Sequence, residues 1–278
     1  MCDLKFSIRF GVRRVKALGR ASRLCFLPLV MLVWLPACGG GAPEEAPKTT
    51  EKAAAPETTE LRVDATTAGT VVGKVTYTGK PSRGARIRMN ADPKCAEQHK
   101  EPVYSQVVAV NDNGTLRDAF VWVKAGLEQY KFGTPSEAKE LDQKGCVYEP
   151  HVFGLQVGQK FKILNGDPTT HNIHPVPRQN REWNTSQPPN AQPMEKSFPR
   201  PEVMIPVKCN IHPWMKAYIG VVAHPYFAVT GTDGSFELKG LPPGDYTIGV
   251  WHEKLGTSEL NVTLGEKETK EIEFTYSG

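Results

Sequence analysis

Residues 208–215 read Lys208-Cys209-Asn210-Ile211-His212-Pro213-Trp214-Met215, and about 37 residues upstream stands Asn165-Gly166-Asp167-Pro168-Thr169-Thr170-His171-Asn172-Ile173-His174. The first stretch spaces a thiol, an imidazole and a thioether as Cys-x2-His-x2-Met, and the second adds another imidazole. A tight loop between adjacent strands can present three such donors together: Cys209 where one strand ends, His212 in the loop and Met215 where the next begins. His171 must then come from a neighbouring loop, delivered by a strand over 161–164.

This donor set has a specific chemistry. One thiolate and two imidazoles near a plane, with a long thioether on the axis, suit copper in both its oxidation states. A hard cation would want carboxylates, and a structural zinc would want four Cys or His with no Met. Each residue also has a plainer reading, because a lone buried Cys is a small hydrophobe and a lone His is commonly solvated or structurally hydrogen-bonded. The combination favours copper, with zinc, another metal or no metal as alternatives. His174 and His151 compete for the upstream position. In extended chain His171 and Ile173 share one face and His174 the other, so His174 reads as a surface residue. His151, in Tyr148-Glu149-Pro150-His151-Val152, is an accessory candidate alongside it.

Outward from this loop the apolar pattern is short runs broken by turn dipeptides, without a sustained helical period. The segments 71–79, 104–111, 116–125, 160–165, 218–224, 235–240, 246–253, 258–264 and 270–276 read as strands. Asn111-Asp112-Asn113-Gly114 reads as a hairpin turn. Residues 135–142 (PSEAKELD) are polar on every side and read as a loop with at most one helical turn. The expected fold is all-β, in two-sheet layers.

Residues 145–223 resemble the cupredoxin family, including plastocyanin and especially amicyanin, and are similar to periplasmic cupredoxin-like proteins of methylamine utilisation. The resemblance implies a Greek-key β-sandwich holding one type 1 copper. It makes His171, Cys209 and His212 the equatorial ligands and Met215 the axial one. Asn172 takes the place whose side chain ties the two ligand loops together. It also implies that His212 breaks the surface through an apolar docking patch of Pro213 and Trp214, with Pro175.

A second resemblance flanks the first. Gly73-Lys74-Val75-Thr76, Gly79-Lys80-Pro81 and Gly84-Ala85-Arg86-Ile87 resemble the opening strands of the carboxypeptidase regulatory-like domain, a small Ig/transthyretin-like β-sandwich. Thr232-Asp233-Gly234-Ser235-Phe236 and Leu241-Pro242-Pro243-Gly244-Asp245-Tyr246-Thr247 resemble its closing strands. The expectation is a discontinuous outer domain with the copper domain inserted; two separate small domains are the alternative. The divisions are 69–128 for the N-terminal β region, 129–223 for the cupredoxin domain and 224–278 for the closing strands.

The front of the chain reads as an address. Residues 1–23 are basic and residues 24–37 are uncharged, too short for an ordinary span and suited to a signal-peptide core. Leu35-Pro36-Ala37-Cys38-Gly39 resembles a bacterial lipobox, which implies a signal peptide over 1–37 and a lipidated Cys38; Pro36 departs from the small residue usual there. An ordinary signal peptide is the alternative. Residues 38–68 carry almost no large apolar side chain and read as a flexible tether. The chain counts 34 Lys and Arg against 30 Asp and Glu, +4 overall. Without the first 37 residues it counts 27 against 29, or −2, which excludes a nucleic-acid binder relying on surplus cations. An oxidising compartment permits a disulfide, and Cys95 with Cys146, neither ligand nor anchor, are expected to pair.

The expected function is a periplasmic, membrane-tethered one-electron carrier. Its partner would be a redox protein such as a c-type cytochrome or a periplasmic dehydrogenase. Alternatives are copper storage, delivery or sensing, and a cell-surface interaction module with structural metal. No His-Glu-x-x-His, Cys-x-x-Cys-His or Gly-x-Ser-x-Gly motif occurs, so an enzyme is the least favoured class.

Overall fold

A computed structural model describes residues 62–80 and 84–278. The segments expected to be a signal peptide (1–37), the lipidation site Cys38 and the expected tether up to residue 61 lie outside the described residues, as does Pro81. The strands, in chain order, are β1 (Gly69–Tyr77), β2 (Phe120–Ala125), β3 (Lys139–Lys144), β4 (Val147–Glu149), β5 (Val152–Gln156), β6 (Phe161–Asn165), β7 (His171–Pro175) and β8 (Thr185–Gln187). They continue as β9 (Met194–Lys196), β10 (Glu202–Lys208), β11 (Lys216–Val222), β12 (Phe227–Val229), β13 (Ser235–Leu241), β14 (Gly244–His252), β15 (Gly256–Leu264) and β16 (Thr269–Tyr276). One helical turn, Pro93–Ala96, is the only helix among the described residues. The protein is all-β.

Two sandwiches result. Sheets β13-β1-β16 and β12-β2-β14-β15 face each other across a core containing Val71, Val121, Phe236, Ile248 and Phe274. Sheets β5-β11-β10-β7-β8 and β4-β3-β6-β9 enclose a second core with Leu141, Phe161, Ile173, Ile205 and Ile219. β1 pairs with β13 and, in parallel, with β16, so the first and last described strands share one sandwich while the strands of residues 139–222 build the other. Alternation explains these strands: β1 turns Val71 and Val75 inward and Lys74 outward, as a half-buried strand requires.

A third apolar cluster joins the sandwiches through Phe120, Trp122, Val152 and Val222. Gly154 of β5 and Gly220 of β11 are register partners. A Cβ on Gly154 would come within 2.3 Å of the Phe227 ring, and one on Gly220 within 2.4 Å of the Phe120 ring. Two facing glycines thus make the trough in which the aromatic rings of the outer sandwich lie.

The structure differs from the sequence reading at four places. Residues 139–144 form β3 rather than a loop, because Leu141 and Gln143 point inward between exposed neighbours and the chain pairs in parallel with β6. Residues 104–111 carry only the isolated bridges Arg86–Tyr104 and Val110–Leu116, since no full-length partner strand lies alongside. The segment Gly84–Ile87 does not open the outer sandwich; Ile87, Met89 and Cys95 pack on the core of the inner one. The end of the expected tether is docked, with Thr67 accepting a hydrogen bond from the Lys267 N–H at 3.0 Å. The Asn111–Gly114 turn is formed, closed by Gly114 N–H to Asn111 O at 2.9 Å, with Gly114 at φ 81°.

Candidate metal centre

β10 ends at Lys208 and β11 begins at Lys216, so the Cys-x2-His-x2-Met segment is the turn of a hairpin. Cys209 N–H donates to Met215 O at 3.4 Å, and Met215 N–H donates to His212 O at 3.0 Å. His171 opens β7, which pairs with β10 through His174 and Lys208. Continued one turn further, that register brings His171 to the loop.

The Nδ1 atoms of His171 and His212 lie 2.9 Å apart. Cys209 Sγ is 3.9 Å from His212 Nδ1, and all three donor atoms fall within 4.8 Å of one another. Met215, fully buried, packs in the same core as Cys209. Asn172 Oδ1 accepts from the Asn210 N–H at 2.5 Å and lies 3.3 Å from Cys209 Sγ, tying β7 to the residue after the thiol.

Two carboxylates absent from the sequence reading complete the arrangement. His171 Nε2 meets Asp167 Oδ2 at 2.7 Å, and His212 Nε2 meets Asp92 Oδ2 at 3.0 Å. A neutral imidazole has one N–H. With each Nε2–H directed at a carboxylate, each Nδ1 presents a lone pair. Two lone pairs at 2.9 Å beside a sulfur repel one another unless a cation or proton stands among them. Two imidazole nitrogens and one sulfur, with no carboxylate on the inner side, fit copper.

Without a metal ion, the electrostatics place a proton on His171, where it can bridge to His212 Nδ1. Burial opposes charging of His171, yet its hydrogen bonds to Asp167 and Cys209 outweigh this and raise it to about 9. Burial also opposes the Cys209 thiolate, but the His171 imidazole and the neighbouring backbone amides hold the thiol below its ordinary value. Asp167 is kept ionised, against burial, by His171 and by the Cys146 and Gly145 N–H groups, which donate at 2.7 and 2.6 Å.

Asp92 arrives on a separate segment that roofs the site. It caps the Pro93–Ala96 turn, accepting from Lys94 N–H at 2.9 Å and from Thr169 Oγ1 at 2.9 Å. Cys95 and Cys146 form a disulfide, Cα to Cα 5.6 Å, and Cys95 Sγ lies 3.7 Å from His212 Nε2. His212 is consequently 2% exposed, and it does not break the surface as expected. Pro175 is buried, Pro213 is exposed and Trp214 is half-buried. The Trp214 ring packs 5.1 Å from that of His212 while its Nε1–H donates to Cys146 O at 3.0 Å.

Neither accessory histidine reaches the cluster. His174, on the opposite face of β7, meets Glu182 at 2.6 Å and Asn210 at 3.1 Å. His151 meets Glu253 at 3.2 Å and Lys216 O at 3.0 Å, which commits it to the contact between the sandwiches. A cleft of about 620 Å³ is lined by Trp122, Phe132, Glu202 and His224 and contains none of the candidate ligands. Asp167 stands in the quoted upstream segment, four residues before His171, but its pairing with that ring was not read from the sequence. Asp92 carried only an Asp-Pro helix-start signal.

No protein-family model matches the chain, and no curated protein matches it. Solved structures similar to it are cupredoxins. A copper-containing nitrite reductase from Thermus scotoductus SA-01 is 20% identical over 36% of this chain, with a TM-score of 0.29; the chain spans 25% of that enzyme's length. A purple cupredoxin from Nitrosopumilus maritimus is 18% identical over 30% of this chain and 98% of its own, with a TM-score of 0.26. An oxidised amicyanin variant is 23% identical over 30% of this chain and 81% of its own, with a TM-score of 0.27. The chemistry of the centre is read from its own side chains.

Proposed function

We propose that the protein is a type 1 copper protein that carries single electrons. The observation behind this reading is the convergence of two Nδ1 atoms and the Cys209 sulfur in a buried core, each imidazole oriented by a carboxylate. His171, Cys209 and His212 would hold the ion, with the buried Met215 thioether as a further donor. Copper bound there supplies one-electron exchange between its two oxidation states. Asp167 and Asp92 would fix the ring orientations and turn each Nδ1 toward the sulfur as the atom available to an ion. Asn172 holds the Cys209 end of the loop against β7, and the buried surroundings exclude water from the sulfur. A rigid donor set of this kind limits rearrangement when charge changes, the condition for rapid electron transfer.

The chain further fits export, tethering through a lipidated Cys38 and work on the periplasmic face of a bacterial membrane, with a c-type cytochrome or a dehydrogenase as partner and no enzymatic activity of its own. Lys5, Arg9, Arg13 and Arg14 ahead of an uncharged 24–37 stretch support that address. The mature N-terminus, measured by mass spectrometry, tests it: an acylated Cys38 is expected, and an unmodified terminus elsewhere removes the anchor.

The experiment for the centre is an absorption and EPR spectrum of the copper-loaded protein beside Cys209→Ser. The wild type should show an intense thiolate-to-copper band and reversible one-electron chemistry, and the variant neither. A colourless wild type with an ordinary type 2 copper signal overturns the electron-carrier reading.

A further inference from the structure

All three clustered donors and Met215 are buried, and the outer nitrogen of His212 is covered by Asp92 and the disulfide-bonded Cys95. An electron therefore needs a path other than an exposed histidine edge. Trp214 supplies one. Its ring is packed against His212, its indole N–H is anchored on Cys146 O, and its half-buried face lines a groove of about 370 Å³. Pro213 and Lys216 continue that wall from the ligand loop, while Arg86 and Arg88 contribute from the roofing segment. Arg86, Arg88 and Lys216 are exposed. The one carboxylate in the groove, Glu253, is matched by His151 at 3.2 Å. The groove is cationic.

Building on the copper reading above, we propose that Trp214 is the electron port of this protein, and that the groove around it docks the acidic face of a redox partner. Copper held there would take one electron from the reduced partner and return it on reoxidation, and Trp214 would serve as the bridge between them, its indole neither oxidised nor reduced. The favoured partner follows from charge: Arg86, Arg88 and Lys216 attract carboxylates and raise encounter rates at low ionic strength. The competing route leaves through the exposed Ile211, at 50% the most exposed large apolar residue described, two residues from the Cys209 sulfur.

Stopped-flow bleaching of the thiolate band separates these routes, with hexacyanoferrate(II) as anionic and hexaammineruthenium(II) as cationic reductant. For the wild type, the anionic reagent should react faster at low salt and slow as salt rises. Trp214→Leu should slow both reagents at least ten-fold with band position and midpoint potential unchanged, Trp214→Phe should stay within three-fold of wild type, and Ile211→Ser within two-fold. Arg86→Glu with Arg88→Glu should slow the anionic reagent at least ten-fold at low salt and abolish its salt dependence. Trp214→Leu reacting like the wild type, or Ile211→Ser losing the rate instead, overturns the port. Should Trp214→Leu fail to hold copper, the charge-reversed variant decides: an unaltered salt dependence overturns the docking groove. A wild-type protein that never develops the thiolate band defeats the copper reading itself, an outcome distinct from a blue protein with the wrong port.

Discussion

At the scale of single residues the centre is governed by which nitrogen each histidine keeps protonated. Asp167 and Asp92 claim the Nε2–H of His171 and His212, and the inner nitrogens are the ones turned toward the sulfur. Partners of this kind commonly contribute about 10- to 100-fold in metal affinity. Asp92→Asn preserves shape but removes the charge and allows the amide to present its N–H₂ to the imidazole. Copper affinity should fall about 10- to 100-fold, measured by competition with a chelator of known affinity, while the far-ultraviolet spectrum stays unchanged. Much of this site was legible, because Cys209, His212 and Met215 lie within one turn of chain and their spacing is itself the geometry. Asp92 was not legible: it is 120 residues from His212, and no local pattern links the two.

At the scale of elements, the roof and β3 show what local pattern leaves out. The segment from Gly84 to Val107 has little regular structure, and its place over the site depends on the Cys95–Cys146 bond and on Asp92. That bond closes a loop with a sequence separation of 51, for which chain entropy predicts stabilisation of about 4 kcal/mol. Cys95→Ser with Cys146→Ser should lower unfolding stability by about 2–4 kcal/mol in denaturant titration. It should also make 84–107 the first site of proteolysis; equal protease resistance would show that the roof is held without the bond. β3 is a different case. Its charged residues favour solvent, but parallel pairing with β6 and the burial of Leu141 draw it into the sheet, an instance of tertiary context overriding propensity.

At the scale of the whole molecule, the two sandwiches are joined by a packed aromatic seam and a buried ion pair. In the seam, Gly220→Ala would drive a Cβ to 2.4 Å from the Phe120 ring, which is itself fully buried. Overpacking of this kind costs about 1–3 kcal/mol, and the loss should appear as a lower denaturation midpoint. The ion pair joins His151 to Glu253, with side chains 9% and 6% exposed. Burial opposes both charges, but the pairing raises His151 and lowers Glu253. The raised His151 therefore stabilises fully below its unfolded value of about 6.5, and this contribution is lost as pH rises through its folded value. The lowered Glu253 stabilises above its unfolded value of about 4.3 and loses this as pH falls through its folded value. Nearby Asp118 works the other way: burial raises it, so its ionisation on going to higher pH opposes folding. The His151–Glu253 pair should contribute most between about pH 4.5 and 6.5, a range in which the neighbouring His252, lowered by burial, opposes folding. Glu253→Gln should lower stability most in that window and flatten the decline from pH 6 to 8.5, as read by urea unfolding of wild type and variant at each pH.

The sequence by itself determined the all-β character, the turn at Asn111–Gly114 and the donor chemistry of the Cys209–Met215 loop, because these depend on periodicity and spacing over a few residues; that His171 opens a strand of its own, β7, was decided by pairing with β10. Only the tertiary structure decided that Asp92 and a disulfide cover His212, that Trp214 is the ring between the centre and a cationic groove, and that facing glycines receive the rings of the second sandwich. Those features are contacts between segments as many as 120 residues apart. Their energy comes from mutual burial and complementary charge, and neither property belongs to a stretch of chain until its partner is packed against it.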